Sequence, residues 1–184
     1  MDGLRICVMY VNVWVIILTM MLLKLLMNID LFKKLCENLQ QTQWCETVKI
    51  KPKLRTYALF KTEFNTEGYL KCKNKYTRSL MSQLRCGVLP LEIERGRYHG
   101  TKVSERLCKF CTDQVEDEFH FICKCKLYSD YRNVMYSKAE QENNEFLQLS
   151  ENDKFIYLMK SCKYTINYVK LAYNRRKSNT YVNA

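Results

Sequence analysis

The chain has 184 residues, 47% of them hydrophobic, with thirty basic and nineteen acidic side chains for a net charge of +11. Five glycines and two prolines, none beyond Gly100, point away from a turn-rich fold and towards a mostly helical protein. Only two histidines occur, which leaves general acid–base chemistry few candidates, and the positive charge favours an anionic partner, nucleic acid before acidic membrane.

In chain order, the first feature is Ile6–Leu23, apolar except for Asn12 and Thr19 and long enough to cross a bilayer as a helix. It makes residues 1–27 a hydrophobic leader and a candidate transmembrane helix inserted through residues 6–23. Lys24, Lys33 and Lys34 favour a cytosolic carboxyl side. The basic helical region then expected over residues 28–100 begins with an amphipathic helix from Asn28 to Trp44. Leu31, Phe32, Leu35 and Leu39 share one side of it, and Asp30 is placed to cap its start. A lysine-rich linker, Lys49–Lys53, contains Pro52 and precedes a second helix, Leu54–Thr62. In the third, Tyr69, Cys72, Tyr76, Leu80 and Leu84 fall on one arc and Lys71, Lys75, Arg78 and Arg85 on the opposite one, before Gly87 ends the run. Pro90–Gly100 is punctuated by proline and two glycines and reads as a loop carrying Arg95, Arg97 and Tyr98. Residues 101–130 hold a cysteine cluster, and residues 131–184 the carboxyl-terminal helices. Tyr128–Lys138 is one of these. A long segment from Ser150 is another, with Ser150 and Asp153 as a capping box and Phe155, Leu158, Met159 and Cys162 as its stripe. Arg175, Arg176 and Lys177 suit the negative end of that helix, and Ser178–Ala184 are expected to fray.

Ten cysteines are spread irregularly, but Cys108–x2–Cys111–x8–His120–x4–Cys125 has the residue types and spacing of a metal site. Two cysteines separated by two residues can bind one ion on a tight turn, with Phe110 packed beneath. Three thiolates and an imidazole close a tetrahedron around Zn²⁺ and leave no position for water, so one structural zinc is expected. Glu116, Asp117 and Glu118 suit the amino end of a short helix that projects His120. Cys123, three residues after His120, is the alternative to Cys125 as last ligand, and His99 is a weaker substitute for His120. No phosphate-binding glycine loop, nucleophile elbow, zinc-protease helix or polymerase Tyr–x–Asp–Asp motif is present, so no enzyme is expected. A metal-binding rather than disulfide use of cysteine suits a reducing compartment, cytoplasm or nucleus, or a membrane with the cysteine cluster on its cytosolic side.

The strings KLRTYALFK, RSLMSQLRCGVLPLEIERGRY and CKFCTDQVEDEFHFICKCKLY together resemble the zinc-binding region at the carboxyl end of reverse transcriptases from LINE-type retrotransposons. The similarity spans roughly residues 28–176. It implies Cys108, Cys111, His120 and Cys125 as ligands, and a module that holds nucleic acid beside a polymerase absent from this chain. Lys126 departs from the proline that commonly follows the last cysteine in that family, and Cys123 is an extra thiol. The leading expectation is a non-catalytic, transposon-derived zinc module that binds RNA or DNA non-specifically. Lys71, Lys75, Arg78, Arg85, Arg95 and Arg97 would be its phosphate contacts. The alternatives are a single-pass membrane-anchored interaction protein, or the product of a decayed element without selected function.

Overall fold

The computed structural model describes residues 14–24, 29–161 and 163–182. The chain divides into two units, Met1–Glu46 and Thr47–Ala184. Within the first, residues 14–24 are helical with most apolar side chains exposed, Trp14, Leu18 and Met21 among them. The expected membrane span falls partly outside the described residues, and among those described no helix is long and apolar enough to cross a membrane. Helix α1, Ile29–Ile50, continues past Trp44 and takes in Lys49, which the sequence places in a linker. Phe32 and Leu35 on its expected stripe are half-buried, while Leu31 and Leu39 are exposed.

In the second unit, Pro52–Leu54 form a 3₁₀ turn and Tyr57–Phe60 a single helical turn, α2, where a helix over Leu54–Thr62 is expected. Another 3₁₀ turn, Gly68–Lys71, leads to α3, Lys75–Arg85. The third helix therefore starts six residues later than Tyr69, for a local reason. Asn74 Oδ1 accepts from the Thr77 amide at 2.9 Å and caps α3, while Arg78 donates to the carbonyls of Cys72 (2.5 Å) and Lys73 (3.3 Å). With Tyr69 and Cys72 outside the helix, the buried arc becomes Thr77, Leu80, Met81, Leu84 and Arg85, rotated by roughly a quarter turn at 100° per residue. Arg85 moves inward and Tyr76 outward. At the carboxyl end of α3 the Gly87 amide donates to the Leu84 carbonyl at 3.2 Å. Gly87 has φ +65, and a Cβ there would stand 2.5 Å from the Lys53 carbonyl oxygen, so no larger residue fits.

Residues Glu92–Tyr98 are a helix, α4, and not the expected loop. Gly96 sits inside it because the Arg106 side chain lies across that face, 2.6 Å from where a Cβ would be. Helix α5 spans Ser129–Glu142. The long segment from Ser150 is two helices, α6 (Glu151–Ser161) and α7 (Thr165–Val182). Ser150 caps the first as expected, its Oγ accepting from the Asp153 amide at 3.2 Å. The break near residue 163 has no glycine or proline to announce it. The buried Thr165 hydroxyl donates to the Leu158 carbonyl at 2.7 Å, satisfying one of the acceptors that a helix end leaves over. Cys162, the last position of the expected stripe, lies outside the described residues. Helix α7 runs on to Val182, well past the point where fraying is expected.

Helix α3 packs on α7, as does α5, and α2 packs on α6. The core between them holds Leu84, Phe121, Tyr128, Phe146, Leu158 and Val169, each almost inaccessible to water. Edge-to-face contacts of Phe121 with Tyr128 (5.1 Å) and Tyr168 (5.9 Å) tie the segment that carries His120 to α7. Among the described residues the chain has no strand, only one isolated antiparallel bridge, Leu107 to Val115.

Candidate metal centre

That bridge starts the site. The Cys108 amide donates to the Gln114 carbonyl at 2.9 Å and the Glu116 amide to the Arg106 carbonyl at 3.0 Å, so residues 106–116 fold back as a short hairpin. At its tip the Thr112 amide donates to the Cys108 carbonyl at 2.8 Å, with Thr112 in the left-handed region at φ 56. This tight turn brings Cys111 round beside Cys108 and directs the backbone N–H groups of Phe110 and Cys111 at the Cys108 sulfur.

The second half of the site is the segment that follows. Asp117 Oδ1 accepts from the His120 amide at 2.7 Å, so of the three acids it is Asp117 that caps this helical stretch. Residues His120–Lys124 form a π turn, closed when the Cys125 amide donates to the His120 carbonyl at 2.8 Å. An i→i+5 turn is wider than an α-helical one and returns residue i+5 above residue i, so His120 and Cys125 converge. In a regular α-helix Cys123, three residues on, would have shared the face of His120. Here Cys123 is buried apart from the cluster, beside Tyr136, and burial pushes its thiol up to about 11.

Cys108, Cys111, His120 and Cys125 thus offer four donor atoms that all lie within 4.8 Å of one another and could hold one metal ion. The Cys108 and Cys125 sulfurs are 3.8 Å apart, far beyond the ~2.05 Å of a disulfide. Cys111 Sγ and His120 Nε2 are 3.2 Å apart. Three of the four residues are buried and Cys111 is half-buried. The histidine is oriented from behind, its Nδ1 lying 3.3 Å from Gln114 Oε1 while Nε2 faces the cluster. The Cys125 thiol, donating to Cys108, holds the Cys108 thiol well below the ordinary thiol range, with help from the Phe110 and Cys111 amides. The same interaction drives Cys125 up, and burial drives Cys111 up.

Around the cluster stands a second layer that local sequence reading misses. Glu116 is completely buried, 3.8 Å from Cys108 Sγ. It accepts from Arg176 at 2.7 Å and from the Glu92 amide at 2.9 Å. Burial raises its carboxyl to about 7, against the pull of the Arg176 guanidinium. Arg176 also bonds Glu92 and lies over the Phe110 ring, which packs against the core beneath the turn. Glu118 is buried as well, held by Arg55 (2.9 Å) and Thr56 (3.0 Å). Both acids read in sequence as part of a helix start. The partners that bury them lie about sixty residues away along the chain, and no local pattern announces such a pairing. Arg132 fixes the far side, donating to the carbonyls of Ile122 and Cys125.

Of the six expected nucleic-acid contacts, five reach the surface at least in part and Arg85 does not. Lys71 and Lys75 are exposed. Arg78 is spent on backbone carbonyls, while Arg95 and Arg97 pair with Glu92 (3.8 Å) and Glu94 (2.9 Å) on their own helix. Arg85 is not a surface residue at all: it is 1% exposed, makes a two-pronged pair with Glu67 at 2.8 and 2.9 Å, and lies over the Phe60 ring at 4.2 Å. Midway along α7, seven residues before its end, Arg175 grips Asp130 with two bonds (2.6 and 2.7 Å), and Arg176 points into the core. Neither therefore serves the helix end as expected. His99 is exposed at the end of α4 and takes no part in the cluster. Comparison with known proteins finds no family model, curated protein or solved structure that matches the chain, so the resemblance to reverse transcriptases rests on the quoted motifs alone.

Proposed function

We propose that the four donors hold one structural zinc ion and that the protein is a non-catalytic, transposon-derived module that binds nucleic acid through phosphate contacts. The observation that carries the zinc reading is the convergence of Cys108, Cys111, His120 and Cys125 from two separate turns. Three thiolates with one imidazole suit zinc over harder cations. A tetrahedral ion with Zn–S bonds of ~2.3 Å needs sulfurs about 3.8 Å apart, the separation of Cys108 and Cys125. Four protein donors leave no position for water or substrate, so the ion would hold the hairpin to the π turn and do no chemistry.

The nucleic-acid reading is supported by the net charge of +11 and by exposed lysines around α3. The test uses purified full-length protein: zinc per chain by elemental analysis, and affinity for a labelled oligonucleotide against salt. About five phosphate contacts on a single strand predict a loss of roughly 100-fold between about 50 and about 200 mM salt. Absence of binding, or affinity indifferent to salt, would overturn the nucleic-acid reading. Well-folded protein without zinc would overturn the metal reading.

A further inference from the structure

The positive charge is not spread evenly along the chain. Residues 68–91 and 154–184 carry five and seven basic residues respectively and no acid, whereas the remaining 129 residues carry eighteen bases against nineteen acids. The whole net charge therefore belongs to two segments far apart in sequence. The fold brings them together, because α3 and α7 are packed on each other. Where they meet, Tyr76 donates from its hydroxyl to Asn174 Oδ1 at 2.9 Å, and the Lys177 ammonium lies over both the Tyr76 and Tyr173 rings, at 5.5 and 5.1 Å. Lys170, Tyr173, Asn174 and Lys177 follow one stripe of α7 at helical spacing.

Several of the twelve bases are already committed. Arg85 pairs with Glu67, Lys163 with Glu142, Arg175 with Asp130 and Arg176 with Glu116. Lys71, Lys73, Lys75, Lys170 and Lys177 form no ion pair among the described residues, and four of them are exposed, Lys170 being half-buried. Tyr76, which follows Lys75 in the chain and lies under Lys177, is 41% exposed. Unneutralised ammonium groups on two packed segments, with an exposed tyrosine where those segments touch, suit a strand whose phosphates meet the lysines and whose unpaired bases stack on an aromatic ring. A duplex would offer the phosphates but keep its bases stacked on one another.

From this juxtaposition we infer that the seam between α3 and α7 is the docking surface for a single-stranded nucleic acid, with Lys71, Lys75 and Lys177 on phosphates and Tyr76 under a base. The inference rests on the nucleic-acid reading above and replaces Arg85, Arg95 and Arg97 as its contacts. The test measures binding of fluorescein-labelled oligo-dT by full-length protein carrying Lys71→Gln, Lys75→Gln and Lys177→Gln together. Its control is a protein with Lys102→Gln, Lys126→Gln and Lys138→Gln, which loses the same charge elsewhere. Loss of three phosphate contacts lowers the salt slope by about 2 and the affinity at physiological salt by roughly 50-fold, and the control should change little. Tyr76→Ala should cost a further factor of roughly 5 to 150, and Tyr76→Phe should retain binding. Circular dichroism and metal content should match wild type throughout. Equal weakening by the two triple variants, with wild type still binding, overturns the seam and leaves the general reading standing. A hairpin duplex bound as tightly as oligo-dT overturns the single-strand assignment. No binding by wild type overturns both readings.

Discussion

Replacing Cys125 and Cys123 one at a time separates a ligand from a core thiol. Cys125 is fully buried with its sulfur 3.8 Å from that of Cys108, while Cys123 is almost as buried but outside the cluster. If zinc is held, its binding supplies on the order of 10 kcal/mol at neutral pH, against a net domain stability of roughly 5–15 kcal/mol. Removing one of four ligands, and leaving the other donors buried beside Glu116 without an ion, should therefore unfold at least residues 106–128. Cys123→Ser places a hydroxyl where an apolar thiol packs, which costs about 1–3 kcal/mol without touching the ion. Elemental analysis and thermal unfolding with and without a chelator read both effects. Cys125→Ser should purify without zinc and melt as chelated wild type does, and Cys123→Ser should keep one zinc per chain with a modestly lowered Tm. Zinc lost from Cys123→Ser but kept by Cys125→Ser would refute the ligand geometry. A wild-type Tm indifferent to chelator would refute the site.

Three further outcomes follow from the layers around the cluster. Gln114→Leu removes the acceptor that orients His120, and should weaken metal affinity by roughly 10- to 100-fold in a chelator competition while leaving the fold intact. Arg85→Met removes the two-pronged partner of Glu67, which keeps Lys61 (3.7 Å) and Tyr57 (3.1 Å), and the cation under the aromatic rings, so a loss of about 1–3 kcal/mol is expected in denaturant unfolding. A surface phosphate contact at Arg85 would instead leave stability unchanged. Glu118 is raised by burial although Arg55 opposes the shift, so the folded state holds its proton more tightly than the unfolded chain. Stability should fall as pH rises from the unfolded value of about 4.3 through the folded one. Glu118→Gln should flatten that part of the pH–stability profile, and an unchanged profile would contradict it.

The parts of the fold legible in the sequence are those decided by neighbours in the chain. The ligand types and spacings, Ser150 as a cap and the helical stripe of Phe155, Leu158 and Met159 all rest on contacts within a few residues, and all appear in the structure. What escaped is decided at long range. The helix over Glu92–Tyr98 hides behind Gly96, whose missing side chain makes room for Arg106 and does not mark a turn. The division between α6 and α7 depends on Thr165 reaching back to Leu158. Arg85 looks like a surface cation on a helical wheel only while Tyr69 and Cys72 are counted in its helix. Once Asn74 caps α3, the same wheel turns Arg85 inward. Cys123 stands as an alternative to Cys125 in the sequence because their roles depend on a π turn, and helical periodicity assumes α geometry.

Helix α7 links the cluster to the basic seam through adjacent residues. Arg176 reaches inward to Glu116, which touches Cys108, while Lys177 lies outward over Tyr76. Consecutive residues on a helix point about 100° apart, so one rotation of α7 sets both contacts. A metal that fixes the hairpin also fixes Glu116, and through it the rotation that places Lys177 and the Lys170 stripe on the seam. Chelation should therefore weaken oligo-dT binding even though no metal ligand lies among the lysines. The loss should resemble that of the seam variant in salt slope and be reversed by restoring zinc. Arg176→Met should reproduce part of this loss with metal still bound, because it cuts the link and spares the ligands. Oligo-dT affinity unaffected by chelator, in protein whose Tm the chelator lowers, would show that α7 holds its rotation without the metal, and that the two sites share a helix but not a mechanism.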